Sequence, residues 1–205
     1  KVYFEATYFN VLVENEIVPF ELLGEVYFRN TAKTARQGLE LGGRIELLKD
    51  LNFAVSYTWS DFFYRSYEAQ SVEVDSTGNF VVTDRDFSGN IVPSVPRHNL
   101  YLATSYSIPI NRQIHTFAKL SYMGISGLWV NDANTDKTDA YNILNSVLGI
   151  DVRVDGFNFL MSGGINNMLD EVYVGFTNTN STLGRFYEAG APRNYFISIG
   201  TGYTF

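Results

Sequence analysis

The sequence predicts an all-β fold, a transmembrane antiparallel β-barrel, and two observations support this prediction. Apolar and polar residues alternate with period two in eight blocks along the 205-residue chain, as they do in strands that have one apolar face. The connections between these blocks alternate between short and long. Barrels of bacterial outer membranes have this arrangement, with tight turns at one end and long loops at the other.

The eight predicted strands follow one another along the whole chain. The first block covers residues 1–13. If strands are counted back from Phe205 at the periplasmic end, with short and long connections alternating, residues 25–48 must form one long strand. The remaining blocks lie at residues 51–60, 97–108, 113–123, 140–154, 157–165 and 195–205. In the last block, Tyr195, Ile197 and Ile199 share one face, and polar or small residues share the other. Most blocks therefore have one apolar and one polar face, while residues 1–13 and 113–123 fit this pattern less cleanly but keep the period of two.

The predicted connections fall into two classes. The short links are Lys49-Asp50, residues 109–112 and Asp155-Gly156, the last of which is a strong signal for a two-residue hairpin. The long links cover residues 14–24, 66–96, 124–138 and 167–192. We expect the short links to lie at the periplasmic end of the barrel and the long links at the extracellular end.

Composition excludes several other classes of protein. No apolar run reaches the roughly 18 residues that a membrane-spanning helix needs. The net charge of −7 argues against a nucleic-acid partner. The absence of cysteine excludes disulfides and thiolate metal sites. No segment has the features of a signal peptide, and Lys1 opens a strand-like run, so we expect the natural N-terminus to lie elsewhere.

A soluble β-sandwich or a lipocalin-like barrel would also show alternation. Such folds usually have turn signals every 8–12 residues, and connections as long as residues 66–96 and 167–192 would be unusual in them. Aromatic residues also gather near the predicted strand ends, as Tyr57, Trp59 and Phe62 show. This clustering is typical of the aromatic girdle at a membrane interface. The sequence therefore favours a membrane barrel.

The C-terminus has the pattern of an assembly signal. Ser198, Gly200, Tyr203 and the terminal Phe205 alternate in a way that resembles the signal read by the bacterial barrel assembly machinery. That machinery is therefore a predicted partner. Addition of the last strand to an exposed sheet edge would explain such recognition, because alternate side chains would give it specificity.

Four stretches, in this order, resemble TonB-dependent receptors. Residues 27–41 read YFRNTAKTARQGLEL, like the strand of that family with the pattern Y-x-N followed by G-x-E-L. Residues 95–100, VPRHNL, resemble its "V-P-x-H" strand start, and residues 166–173, NNMLDEVY, resemble "N-N-L-x-D-x-x-Y". Residues 184–194, GRFYEAGAPRN, resemble "Y-x-P-G-A-P-R-x", except that Ala189 stands where proline is usual.

The resemblance implies a barrel of about 22 strands, of which this chain would form about the last eight. It also implies a plug domain, which would be absent from this chain, and a TonB complex that acts through the missing N-terminal part. The expected function is import of a ferric chelate, such as a siderophore or iron citrate, across the outer membrane. Cobalamin or a sugar remains open as the ligand, and outer-membrane lipid is a further expected partner. No cofactor is expected.

Ligand contacts are expected in the long loops and at the outer strand ends. Arginine suits anionic chelates because its guanidinium binds carboxylates in a bidentate fashion. The candidates are Arg65, Tyr67, Arg85, Trp129, Arg185, Phe186 and Tyr187. The alternative is that these arginines are solvated or pair with nearby acids such as Asp84 and Glu188.

No catalytic constellation is present, so we predict that the protein is not an enzyme. His98 and His115 have no acid and nucleophile beside them in the pattern, and structural roles are expected for both. Asp132, Asn134 and Asp136 copy the start of a calcium loop. Lys137 and Ile143 stand where that loop requires glycine and glutamate, so no metal site is predicted.

The main alternative function is that of a self-contained eight-stranded barrel, acting as an adhesin or a structural protein. The interior of such a small barrel is filled by side chains. The predicted inner faces carry many glycines and serines, such as Gly149, Gly164 and Ser105. These residues would fill a small barrel poorly, and the sequence therefore favours part of a larger barrel.

Overall fold

The computed structural model describes residues 1–22, 25–74, 76–181 and 184–204, and the fold over these residues is all-β. Its strands are β1 (Val2–Leu22), β2 (Glu25–Leu48), β3 (Leu51–Ser66), β4 (Glu68–Val74), β5 (Phe80–Asp86), β6 (His98–Pro109), β7 (Ile114–Ile125), β8 (Tyr141–Val154), β9 (Phe157–Asn166), β10 (Val174–Thr177), β11 (Tyr187–Ala189) and β12 (Asn194–Tyr203). In the part that is described, no helix is long and apolar enough to cross a membrane.

Eight of these strands form one antiparallel sheet in the order β1-β2-β3-β6-β7-β8-β9-β12. This confirms the predicted eight-stranded meander, including the single long strand β2. The β4–β5 and β10–β11 pairs are small hairpins inside two of the predicted long connections. Strands β1 and β12 are the edges of the described sheet and do not pair with each other. The eight strands therefore form an open sheet, and not the closed small barrel that was the alternative.

The predicted connection over residues 14–24 was wrong for most of its length. Strand β1 continues to Leu22 and pairs with β2 up to the Leu22–Glu25 pair. The register shifts between Val13 and Ile17, and Asn15 has a positive φ of 57°. This irregularity is typical of a β-bulge, which interrupts the period-two pattern although the ladder continues. The interrupted alternation therefore resembled a loop in the sequence.

The three short turns were predicted correctly. Asp155 and Gly156 both have positive φ, 48° and 80°, as a type I′ hairpin turn requires. At the turn after β6, the side-chain oxygen of Asn111 accepts hydrogen bonds from the backbone N–H groups of Gln113 and Ile114, both at 2.8 Å. Asp50, with φ of 66°, completes the turn after β2. One end of the sheet therefore carries these tight turns.

The two faces of the sheet differ in character. One face carries large apolar side chains that are mostly exposed, for example Ile197 at 81% and Ile199 at 73%. The opposite face carries small and polar residues, such as Ser56 and Ser105, together with charges such as Lys119. An exposed apolar face of this size needs an apolar surrounding. The arrangement fits a barrel wall with one face toward lipid and the other toward a lumen.

The buried core lies at the end of the sheet opposite the tight turns. Among the described residues, the core cluster comprises Val18, Ala32, Tyr64, Tyr67 and Ala69, with Phe87 and Val92 packed against it. The cluster draws on β1, β2 and β3 as well as on the β4–β5 connection. This end of the sheet, together with the long connections that emerge from it, is called the loop end below.

Candidate functional site

Three long connections meet around one buried carboxylate at the loop end. Asp132 is 4% exposed and accepts a hydrogen bond from the Tyr64 hydroxyl at 2.6 Å. The Asn180 side-chain amide donates to its other carboxylate oxygen at 2.9 Å. The Asn90 amide donates to the backbone carbonyl of Asp132 at 2.7 Å. We call Tyr64, Asn90, Asp132 and Asn180 the Asp132 junction.

Further hydrogen bonds join the same connections. The Asn134 side chain accepts from the backbone N–H of Ile91 at 2.8 Å and donates to its carbonyl at 2.9 Å. The Ser94 hydroxyl lies 2.9 Å from that of Thr177 and 2.6 Å from that of Thr179. Of the three side chains that copy the start of a calcium loop, Asp132 and Asn134 therefore form hydrogen bonds to other connections, and Asp136 accepts hydrogen bonds within its own connection.

Burial and the neighbouring Asp132 carboxylate raise the pKa of the Tyr64 hydroxyl well above its ordinary value. Strand β3 begins at Leu51, and a strand needs about 9–11 residues to cross a membrane, so Tyr64 lies beyond the spanning segment. A phenol held in its protonated form can act as the hydrogen-bond donor to Asp132. The raised pKa therefore keeps Tyr64 in the protonated form that donates to Asp132.

Two of the predicted ligand contacts belong to the framework of the loop end. Tyr67 is fully buried, with its ring centroid 4.8 Å from that of Tyr64 and 5.2 Å from that of Phe87. Trp129 is partly buried, and its ring lies 5.2 Å from the Lys137 ammonium. Its backbone carbonyl accepts from the N–H of Ser94 at 2.8 Å. In this structure, Tyr67 contributes to packing and presents no exposed surface.

The other five candidates lie nearer solvent. Arg65 is exposed at the end of β3, Arg85 is exposed on β5, and Arg185 is exposed before β11. Phe186 and Tyr187 pack edge to face, with ring centroids 6.0 Å apart. Six of the seven candidates therefore lie in three connections and Arg65 lies on β3, and direct contact between them and a ligand stays a prediction.

The structure also brings together residues that the sequence analysis missed. Arg36 donates from Nη2 to the Glu16 carboxylate, and the Thr34 hydroxyl donates to the other oxygen of that carboxylate at 2.5 Å. The Arg36 guanidinium lies 5.7 Å from the centroid of the Phe62 ring, which packs edge to face against Phe9 at 6.0 Å. We call these five residues the Arg36 cluster.

The predicted alternation could have located Arg36, because it shares a face with Glu40 and Arg44 on β2. Glu16 could not be found in this way, since it lies in the bulge, in a segment that was predicted to be a loop. Gly38 belongs to the same site. A Cβ atom there would overlap the Phe9 ring, so glycine permits the close approach of that ring.

Both histidines lie on the sheet, outside the Asp132 junction. His98 lies on the apolar face, with its Nδ1 2.8 Å from the Tyr57 hydroxyl and its ring stacked on the Tyr57 ring. His115 lies on β7, directly across the ladder from Asp151. Asp151 in turn accepts a hydrogen bond from Arg153 at 2.7 Å.

Of the predicted assembly signal, Ser198, Gly200 and Tyr203 lie on β12. This edge strand pairs with β9 alone in the described sheet. Phe205 lies outside the described residues. Recognition by the assembly machinery stays a prediction.

A comparison with known families identifies the chain. The model of the family described as "TonB dependent receptor-like, beta-barrel" matches residues 1–168. The chain belongs to this family. The TonB-dependent receptor chain is thus part of an outer-membrane β-barrel, its loop end is extracellular, and its tight turns are periplasmic. The assignment is to a family of receptors and not of enzymes, in agreement with the sequence analysis.

Solved structures share the fold of this receptor chain. The siderophore receptor PiuA from Acinetobacter baumannii matches with a TM-score of 0.70 and 20% identity, over 98% of this chain and 26% of PiuA. The ferric citrate transporter FecA matches with a TM-score of 0.70 and 18% identity, over 98% and 28%. The ferric yersiniabactin uptake receptor FyuA from Yersinia pestis gives 0.69 and 17%, over 98% and 27%. The chain spans about a quarter of the length of these proteins.

Proposed function

We propose that this chain forms the last part of the barrel of a TonB-dependent transporter that imports a ferric chelate, of the siderophore or iron-citrate type. Family membership supports a TonB-dependent transporter in general. The names of three structures that share the fold refer to siderophore, ferric citrate or ferric yersiniabactin uptake, and these names support the narrower substrate class. The barrel would enclose a plug domain, and the TonB complex would act through that domain.

One observation carries the assignment of the binding region. Three extracellular connections are joined by hydrogen bonds at the Asp132 junction, above the polar face of the sheet. A joined set of loops can hold arginine and aromatic side chains in fixed positions over the lumen. The candidates there remain Arg65, Tyr67, Arg85, Trp129, Arg185, Phe186 and Tyr187, with Tyr67 acting through its packing.

Two further partners, membrane lipid and the barrel assembly machinery, are proposed from the apolar face of the sheet and from strand β12. The exposed apolar face, with Ile197 and Ile199, would lie against outer-membrane lipid. Strand β12, with Ser198, Gly200 and Tyr203, would be presented to the barrel assembly machinery. Removal of the Tyr203 and Phe205 aromatic rings is expected to reduce the amount of folded receptor in the outer membrane.

Uptake of radiolabelled iron tests the proposal. The full-length receptor is expressed in iron-starved cells that lack their own chelate receptors, and a panel of ferric chelates is supplied with and without a functional TonB complex. We expect uptake of at least one chelate that requires both the receptor and TonB. Import of cobalamin or a sugar, without uptake of any ferric chelate, would refute the proposed substrate class.

A further inference from the structure

The Arg36 cluster lies on the lumen face at the outer rim of the membrane. Arg36 stands opposite Phe62 in the β2–β3 ladder. Strand β3 starts at Leu51 near the periplasmic side, and a crossing takes about 9–11 residues. Phe62 and Arg36 are therefore at the level where the lumen opens toward the extracellular loops, where an imported ligand would pass.

Among the described residues, the guanidinium of Arg36 has an N–H donor that no acceptor satisfies. A guanidinium carries five N–H donors in a planar fork. One edge donates to Glu16 through Nη2, and the face lies over the Phe62 ring. Within the described residues, the buried Nε has no hydrogen-bond partner. A planar anion that bound through Nε and an adjacent Nη would satisfy this donor in the bidentate geometry that arginine favours.

Glu16 contacts Arg36 from a bulged position in β1. The register shifts on both sides of Glu16, and the preceding Asn15 has a left-handed φ of 57°. Beyond this bulge, β1 and β2 continue as a hairpin whose ladder includes the pairs Ile17–Asn30 and Leu22–Glu25. The carboxylate of Glu16 therefore joins the base of an extracellular hairpin to the wall of the lumen.

We propose that the Glu16 carboxylate pairs with Arg36 only while no ligand is bound to the receptor. When an anionic ferric chelate binds, one of its carboxylates takes the place of the Glu16 carboxylate on Arg36. The exchange would free the hairpin beyond the bulge. This inference rests on the proposed function and narrows the substrate class to chelates that carry a free anionic group. Arg36 has a carboxylate partner in both states, Glu16 before binding and the chelate afterwards. Its partly buried charge is therefore paired in each state.

Glu16 is suited to be displaced by a ligand because its carboxylate can be solvated once it leaves Arg36. Its side chain is 20% exposed and that of Arg36 is 33% exposed, so the described residues enclose neither group completely. Its second partner, Thr34, lies directly opposite Tyr64 in the β2–β3 ladder. The contact that would be exchanged is therefore adjacent to the Asp132 junction and to the three connections that it joins.

The first test needs no ligand. Hydrogen exchange is measured on the purified full-length receptor and on its Glu16→Gln and Glu14→Gln variants. Glu14 is a matched control because its ion pair with Lys33, at 3.1 Å, is on the same hairpin and is largely exposed. We expect faster exchange at Ile17–Leu22 and Glu25–Asn30 in Glu16→Gln alone. Equal exchange in all three proteins would refute the role of Glu16 in holding the hairpin.

The second test measures binding of two probes to the full-length receptor, ferric citrate as an anionic carboxylate chelate and ferrichrome as a neutral one. Arg36→Gln is expected to weaken ferric citrate binding by about 10–100-fold, the range of a charge-assisted hydrogen bond, and to leave ferrichrome binding unchanged. Arg36→Lys should restore part of the affinity. Glu16→Gln should bind ferric citrate as tightly as the wild type or more tightly, because it removes a competitor.

The outcomes separate this inference from the proposed function. If Glu16→Gln weakens ferric citrate binding as much as Arg36→Gln does, Glu16 positions Arg36 and the exchange is refuted. TonB-dependent uptake of neutral chelates, without binding of ferric citrate, would refute the exchange and leave the proposed function intact. If the receptor takes up no ferric chelate, the proposed function is refuted. If the receptor does not bind ferric citrate, the carboxylate exchange is refuted.

Discussion

The two ends of the sheet are closed in different ways. At the periplasmic end, short turns such as Asp155-Gly156 are closed by local backbone geometry. At the extracellular end, the connections are held by side chains far apart in sequence, such as Tyr64 and Asp132, which are 68 positions apart. The periplasmic end therefore depends on interactions within each turn, whereas the order of the extracellular end depends on a few polar side chains that join distant connections.

The largest expected effect lies between these ends, on the lipid-facing surface. Leu102→Arg should destabilise the barrel by about 2–4 kcal/mol, because it places a charge in the hydrocarbon region. Ser105→Arg is the matched control on the lumen face of the same strand. Unfolding of the full-length barrel in urea measures both changes. Equal destabilisation by the two variants would contradict the assignment of the faces.

The next largest effect is expected at the Asp132 junction. Asp132→Ala removes the acceptor of both Tyr64 and Asn180, and leaving buried donors unsatisfied costs about 1–3 kcal/mol each. We expect faster proteolysis in all three joined connections, with unchanged stability of the barrel. Asp136→Ala, in the same connection but exposed, is the control. Faster cleavage in one connection alone would mean that the loops are independent.

The periplasmic end is tested by Gly156→Ala. Gly156 has φ of 80°, and a Cβ atom there would lie 2.9 Å from the carbonyl oxygen of Thr204. A left-handed residue with a side chain costs about 1–2 kcal/mol. We expect a lower midpoint of unfolding in urea, with no change in proteolysis of the extracellular loops. Loss of loop order in this variant would show that the two ends are coupled.

The smallest effect concerns the ionisation of Tyr64. Its pKa is raised in the folded protein, so its neutral form stabilises the loop end fully below the ordinary tyrosine pKa of about 10. This stabilisation decreases as the pH rises above about 10, because the Tyr64 hydroxyl then ionises readily in the unfolded chain but not in the folded protein. Tryptophan fluorescence against pH should show an alkaline transition that Tyr64→Phe lacks. Identical transitions in both proteins would contradict a role for the Tyr64 hydroxyl.

The parts predicted correctly depend on local patterns. Alternation located the eight main strands, and the Asp155-Gly156 pair located a turn, because strand faces and turn conformations are set by residues close in sequence. The prediction for residues 14–24 was wrong because the bulge at Asn15 and Glu16 shifts the phase of the alternation. Alternation alone cannot distinguish such a shift from the end of a strand.

The sequence by itself determined the strand order, the lipid-facing residues and the membership of the TonB-dependent receptor family. Only the tertiary structure revealed that Asp132 joins three connections and that Glu16 contacts Arg36. The partners of Asp132 lie 42, 48 and 68 positions away along the chain. Such contacts form only after the strands have paired in register, since that pairing brings distant loops to the same end of the sheet.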